Sequence, residues 1–462
     1  VKITLYTDTE ARDLTRHATA VAWTTSTRAP YLNASVTLAA PFALLDDLAP
    51  AGEGALSLDG WIAVSDTPEG EAVERALFVG PLTGASYTFS AESSAGMEGL
   101  RRLDALTLTA GSMLHYMSEA QLTLSARPTA APPGHIYTLQ TWAATMRALI
   151  TAPFSGPYIG AALARTFSTL AAPYRLPRTL AGGLSLSAIP IAYDAATTST
   201  HAPERAGDAR ALTGAAINAV SAAAAPSGSP WGLLTSIFDP DPSIAELFLS
   251  LEPDPTKRHP LGAALNSRPV LLHRFKPFAS GALASGAALG ALDAPGHPTT
   301  RALLLDGVMS LRAAQTDADR INGAYISTPL TASRGVDSFG LIATPRLDPV
   351  DIERAGLRLY RAQWPYFPPG KKEGSYSAHS QYLVDITEQI TAHQERFMNG
   401  DILARYAPHL RAGVWLKTPI SDGHRERLLY AYAESLNHTI QISDGGLITR
   451  RTSISYTRGF YA

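Results

Sequence analysis

A chain of 462 residues is too long for one ordinary hydrophobic core, so about two to four domains are expected. With 45% hydrophobic residues, 17% charged residues and no cysteine, the sequence is globular and excludes disulfide scaffolds, thiol nucleophiles and Cys-based zinc or iron–sulfur sites. A net charge of −2 gives no whole-chain attraction to nucleic-acid phosphates, although local patches stay open.

The opening residues, VKITLYTDTEARD, are too polar for a signal peptide. Two runs, 18–27 (ATAVAWTTST) and 31–39 (YLNASVTLA), alternate apolar with small polar residues, the period of a half-buried strand. Residues 41–48 read as one or two helical turns with Pro41 near the start. Further short strands follow at 61–66 (WIAVSD), 74–80 (ERALFVG), 85–92 (ASYTFSAE) and 102–110 (RLDALTLTA). Strands at this spacing predict a barrel or sandwich over 1–127.

A Pro-rich linker, ARPTAAPPGH at 126–135, marks a change of character. Ala-rich helical patterns are expected at 137–151, 158–174 and 204–224. Residues 231–254 read as two short helices divided by FDPDPS, with Ser243 as a cap and Glu246 at capping-box spacing. RPVLLHRFKPF (268–278) reads as a strand. The small-residue stretch at 281–296 is a loop, since it is too short and too broken to cross a membrane.

From about residue 300 strands return at 323–330 and 339–345. Residues 350–364 and 377–400 read as helices, the second ended by Asn399-Gly400, with the breaker loop PYFPPGKKEGSYS between them. The remainder is mostly β and closes on a hairpin around Asp444-Gly445-Gly446. The expected class is therefore α+β: a β domain at each end (1–127 and 301–462) and a mixed helical central region (128–300).

Catalytic motifs are missing. Gly-x-Ser-x-Gly, a Walker A loop, a strand-coupled dinucleotide fingerprint and HExxH do not occur. His379 and His393 lie too far apart along one helix to share a metal. His273 sits beside Arg274, which disfavours a cation, and His438 falls in the closing hairpin; both read as structural or interface residues. Asp239 and Asp241 precede a helix and read as acidic caps. Glu92 and Glu98 have nothing to orient them towards one substrate. Arg101-Arg102, Lys371-Lys372 and Arg450-Arg451 are isolated pairs, read as solvated faces. No cofactor or metal ligand set is assigned.

Four segments, taken in order, resemble the baseplate hub proteins of contractile-tailed bacteriophages, a family related to late control gene D proteins and to the hub part of VgrG spikes. They are ERALFVGPLTG with the strands before it, IAELFLSLEPD with RPVLLHRFKPF, DILARYAPHLRAGVWLK, and the closing AYAESLNHTIQISDGGLITRRTSISYTRGF. Residues 155–230 and 281–296 match nothing in it. The resemblance implies two tube-like barrels per chain and a homotrimeric, pseudo-six-fold ring. That ring would join a six-fold tail tube protein to a three-fold central spike protein beside other baseplate proteins. DNA would pass only transiently through its lumen, and the chain would reside in the virion tail baseplate as a non-enzyme. Thr449, Thr452 and Ser455 would lie along strand faces. Arg274, Trp364, His438 and Arg458 are the interface candidates. Two other readings stay open: a tail-associated cell-wall hydrolase using Asp239, Asp241, Glu246 and His273, and a glycan-binding β protein using Trp364, Tyr366 and Phe367.

Overall fold

A computed structural model describes residues 1–28, 33–39, 48, 58–68, 73–91, 101–120, 123–125, 136–138, 164, 167–168, 170–193, 229–238, 245–254, 257–275, 303–315, 320–327, 346–363, 398–443 and 446–461. The N-terminal strands are β1 (Lys2–Tyr6), β2 (Ala11–Asp13), β3 (Ala18–Ser26), β4 (Asn33–Leu38), β5 (Trp61–Asp66), β6 (Arg75–Ala91) and β7 (Arg101–Gly111). Two short parallel strands, β8 (Thr123–Ser125) and β9 (Ile136–Thr138), come next. The central strands are β10 (Ile191–Tyr193), β11 (Ala245–Pro253) and β12 (Ser267–Phe275). The C-terminal part adds β13 (Leu303–Leu304), β14 (Val308–Ala314), β15 (Gly323–Ser327), β16 (Arg346–Leu347) and β17 (Leu359–Gln363). It ends with β18 (Asn399–Arg405), β19 (Val414–Ser421), β20 (Glu426–Ile442) and β21 (Ile448–Tyr461).

The α+β expectation with two barrels does not hold. Strands dominate the described residues, and the two ends of the chain share one 13-stranded sheet ordered β14-β18-β21-β20-β3-β4-β7-β6-β5-β1-β2, with β19 on β20 and β13 on β19. Neither half closes on itself among the described residues. The physical reason is β20, which pairs with β21 along one edge and splits its other edge between two partners. Glu426–Ala433 pair with β19, and Ser435–Gln441 pair with β3. The change of partner falls where the β20–β21 register shifts between Ala431 and Ser435, and bulges of that kind add the twist that lets a strand leave one neighbour for another.

β6 behaves in the same way. The expected pair of strands 74–80 and 85–92 is one strand, because Arg75–Pro81 pair with β5 and Leu82–Ala91 pair with β7. Pro81, which has no N–H to give a ladder, sits at the handover. Gly80 is required there: a Cβ would stand 1.7 Å from the Gly111 carbonyl oxygen.

Four further expectations are corrected. The second helix expected in 231–254 is β11, while the first is a helix at Pro230–Phe238. Leu and Glu favour helix locally, yet AELFLSLEP has strand period, with Leu247 and Leu249 in a core on one face and Glu246, Phe248 and Ser250 buried on the other. The helix expected over 350–364 stops at Ala355, ended by Gly356 at φ 74°, and the remainder continues into β17. Asn399-Gly400, expected to close a helix, opens β18, and residues 377–397 of that expected helix lie outside the described residues. Residues 137–138, expected to be helical, lie in β9. The helices expected over 41–48 and 204–224, the strand at 339–345 and the loop at 281–296 fall wholly or almost wholly outside the described residues.

Burial follows the pleat. β3 and β4 bury Val21, Trp23, Ala34, Val36 and Leu38 towards one core with Ile62, Phe78 and Leu106. β5 is buried on both faces, which is why residues 61–64 (WIAV) are apolar throughout: Ile62 and Val64 enter that core, and Trp61 and Ala63 enter a second core shared with the central region. A third core under the C-terminal strands contains Ile402, Leu416, Leu436, Ile454 and Tyr456.

Candidate functional site

The two candidate features both depend on β20. The first is the seam between the chain ends. His438 lies opposite Trp23 in the β20–β3 register. It is 1% exposed, stacks on the Trp23 ring at 5.0 Å between centroids, and meets Tyr406 edge-on at 6.1 Å. Its Nδ1 is 3.0 Å from the Thr452 hydroxyl oxygen, which also accepts the Ala407 N–H at 3.0 Å. With that lone pair used, the hydroxyl proton is free to go to Nδ1 and leave the ring neutral with its hydrogen on Nε2. Burial pulls the His438 pKa down to about 3, helped by nearby His409. Tyr406 donates to Asp66 Oδ2 at 2.8 Å and so adds a second tie between the halves. Burial, then the Asp66 carboxylate, push the phenol pKa up.

The second feature is a clamp between β11 and the C-terminal strands. Glu246, Phe248, Ser250 and Glu252 share one face of β11. Tyr432 donates its hydroxyl to Glu246, whose two oxygens lie 2.6 and 2.8 Å away. Arg458, 7% exposed, lies within the field of Tyr432, Glu246 and Glu434; burial lowers its pKa and these three oppose that shift. Glu434 also accepts from Arg28 Nε at 2.9 Å. Six residues along β11, Glu252 accepts from the Ser250 hydroxyl at 2.8 Å and is ion-paired with Arg411. Buried carboxylates are tolerable only when paired and hydrogen-bonded in this manner. Between seam and clamp lies a cavity of about 50 Å³, lined in part by Trp23, Arg75, Phe248, Ser250, Arg411 and His438. That volume suits one or two waters and no larger ligand.

The structure thus brings His438, Arg458 and Glu246 into the interior. Thr452 is buried, whereas Thr449 and Ser455 face outward, Ser455 donating to Asp401 at 2.8 Å. Arg274 and His273 lie on β12, whose register places them opposite Glu246 and Leu247; their side chains are outside the described residues. Trp364, Tyr366, Phe367, Asp239, Asp241, His379 and His393 are also outside them. Sequence reasoning missed Trp23, Tyr406, Tyr432, Glu434, Glu252 and Arg411. The alternation in AELFLSLEP, with a carboxylate at each end of one face, was the available signal. No group of three or more metal-ligating side chains occurs among the described residues, and no helix among them is long and apolar enough to cross a membrane.

No known protein-family profile matches the chain, and no curated protein sequence matches it. Among solved structures it is similar to the 43 kDa tail protein of prophage MuSo2 from Shewanella oneidensis, at 12% identity over 99% of this chain and 98% of that one, with a TM-score of 0.45. It is also similar to the tail protein from Neisseria meningitidis MC58 (9% identity, 99% and 96% covered, TM-score 0.45). A third is prophage tail protein gp18 from Listeria monocytogenes (5% identity, 99% and 95% covered, TM-score 0.41).

Proposed function

We propose that this chain is a non-enzymatic structural hub of a contractile tail, acting as a homotrimeric ring between a six-fold tail tube and a three-fold central spike. The observation that carries the reading is the seam: β20 joins both chain ends into one wall, so each copy contributes two sheet halves and three copies contribute six. The ordered sequence resemblance supplies the rest. In this reading 1–127 and 301–462 build the wall, 128–300 faces neighbouring baseplate proteins, and DNA crosses the lumen only in transit. The virion tail baseplate is its location. Glu246 is spoken for by Tyr432 and buried beneath it, which favours a structural part for it over acid–base work on a cell wall.

Native mass measured over a concentration series, with negative-stain images of the largest species, tests the proposal. A trimer of annular outline with an open centre is expected. A compact trimer without a channel, or wall-clearing activity that disappears in Asp241→Ala, overturns it.

A further inference from the structure

The outward face of the joined sheet has a feature that neither core nor clamp requires. Across the seam, the register places Arg405 of β18 opposite Arg451 of β21, Arg451 opposite Thr439 of β20, and Thr439 opposite Ala22 of β3. Directly paired residues in an antiparallel ladder project to the same side, and both arginines are exposed. Like charges placed opposite one another destabilise a sheet. Among the described residues neither guanidinium has an ion-pair or hydrogen-bond partner. The acid on this face of β18, Asp401, stands four residues from Arg405, roughly 13 Å at the usual strand rise. Asp401 also accepts from Ser455 at 2.8 Å. On β20 and β21 the outward neighbours are uncharged, Thr449 and Ser453 on β21 and Asn437 and Gln441 on β20, while β18 adds Leu403 and the turn beside Arg405 carries Gly307 and the exposed Asp306.

We propose that Arg405 and Arg451 form a phosphate-contacting pair, and that the face around them touches the backbone of duplex DNA. Two guanidiniums side by side present donors in fixed forks that suit phosphate oxygens, and the flanking hydroxyls and amides add neutral donors without binding tightly. A polyanion neutralises the repulsion the sheet otherwise carries. The contact reads no bases, so it is sequence-independent and reversible, as a wall passed by moving DNA requires. The inference rests on the hub reading for the source of the DNA, and on the register alone for the pair.

The test is fluorescence-anisotropy titration of the full chain with a labelled mixed-sequence 30-base-pair duplex at several salt concentrations. Each phosphate contact contributes about 0.9 to the slope of log affinity against log salt. The double variant Arg405→Ser/Arg451→Ser is expected to lose about two from that slope per bound chain, at roughly 0.9 for each contact. Arg405→Lys/Arg451→Lys is expected to keep most of it. An unchanged slope in the serine variant overturns the proposal, as does a wild-type chain that does not bind the duplex at low salt. Polyglutamate competing as well as DNA at matched charge overturns the nucleic-acid assignment in favour of an acidic protein surface. Native mass of the same variants separates the two claims. A trimer whose DNA binding ignores both arginines removes this inference alone, and arginine-dependent binding by a compact, channel-free particle removes the hub reading alone.

Discussion

The seam and the clamp solve the same problem with different chemistry. Both hold a separate part of the chain against β20. At the seam the contact is mainly backbone ladder, and the histidine in it, His438, is kept neutral between Trp23, Tyr406 and Thr452. At the clamp no ladder joins β11 to the C-terminal strands, and charged groups make the contact: Glu246 with Tyr432 beside Arg458, and Glu252 with Arg411. A ladder satisfies its own polar groups, so its side chains need only pack. A side-by-side contact of two sheets has no such ladder, and buried charges there fix position at the risk of a large loss if one partner goes.

That contrast can be broken at the clamp first. Glu246→Ala leaves Arg458 in a buried site without one of its opposing charges, and a stability loss of about 3–5 kcal/mol is expected from denaturant midpoints. A loss near the surface-mutation range would mean the clamp is not buried as described. Next comes acid. The folded His438 pKa is depressed to about 3 against about 6.5 unfolded, so its contribution is complete above pH 6.5 and declines as pH falls towards 3. Between those limits stability should fall by roughly 1.4 kcal/mol per pH unit from this ring, and His438→Phe should flatten the profile by that amount. Thr452→Val removes one partner from His438 and one from the Ala407 N–H, with an expected cost of about 1–2 kcal/mol. Smallest is Arg451→Ser, which relieves the opposition to Arg405 and should raise stability by about 0.2–1 kcal/mol in low salt, less at high salt.

Much of the sheet was legible in the sequence. β3, β4, β5, β7, β12 and the closing hairpin follow from period-two alternation or a short apolar run, because those strands bury one or two faces against packed cores. β11 reads as a helix by propensity, since Ala, Glu and Leu favour helix, although its period-two alternation signals a strand and the non-local pairing with β12 decides between them. The barrel expectation failed for a related reason. Strand spacing says how many strands there are, while the partner change at Ala431–Ser435 that opens both halves into one sheet depends on register. Of the candidate residues, His438 was noticed as a hairpin histidine. Its stack on Trp23 spans more than 400 positions of sequence, and no local pattern carries that pairing.

Residues from the two chain ends form one ladder at β3 and β20. Native-state hydrogen exchange tests it most directly, read at the amides of Ala20–Ser26 and Ser435–Gln441. If β3 and β20 are joined, the ladder amides of both segments should be protected and open together, with a common free energy close to that of global unfolding. If β20 belongs to a closed C-terminal barrel and β3 to another, the two segments should open with different free energies. That result would mean that the two chain ends form separate sheets.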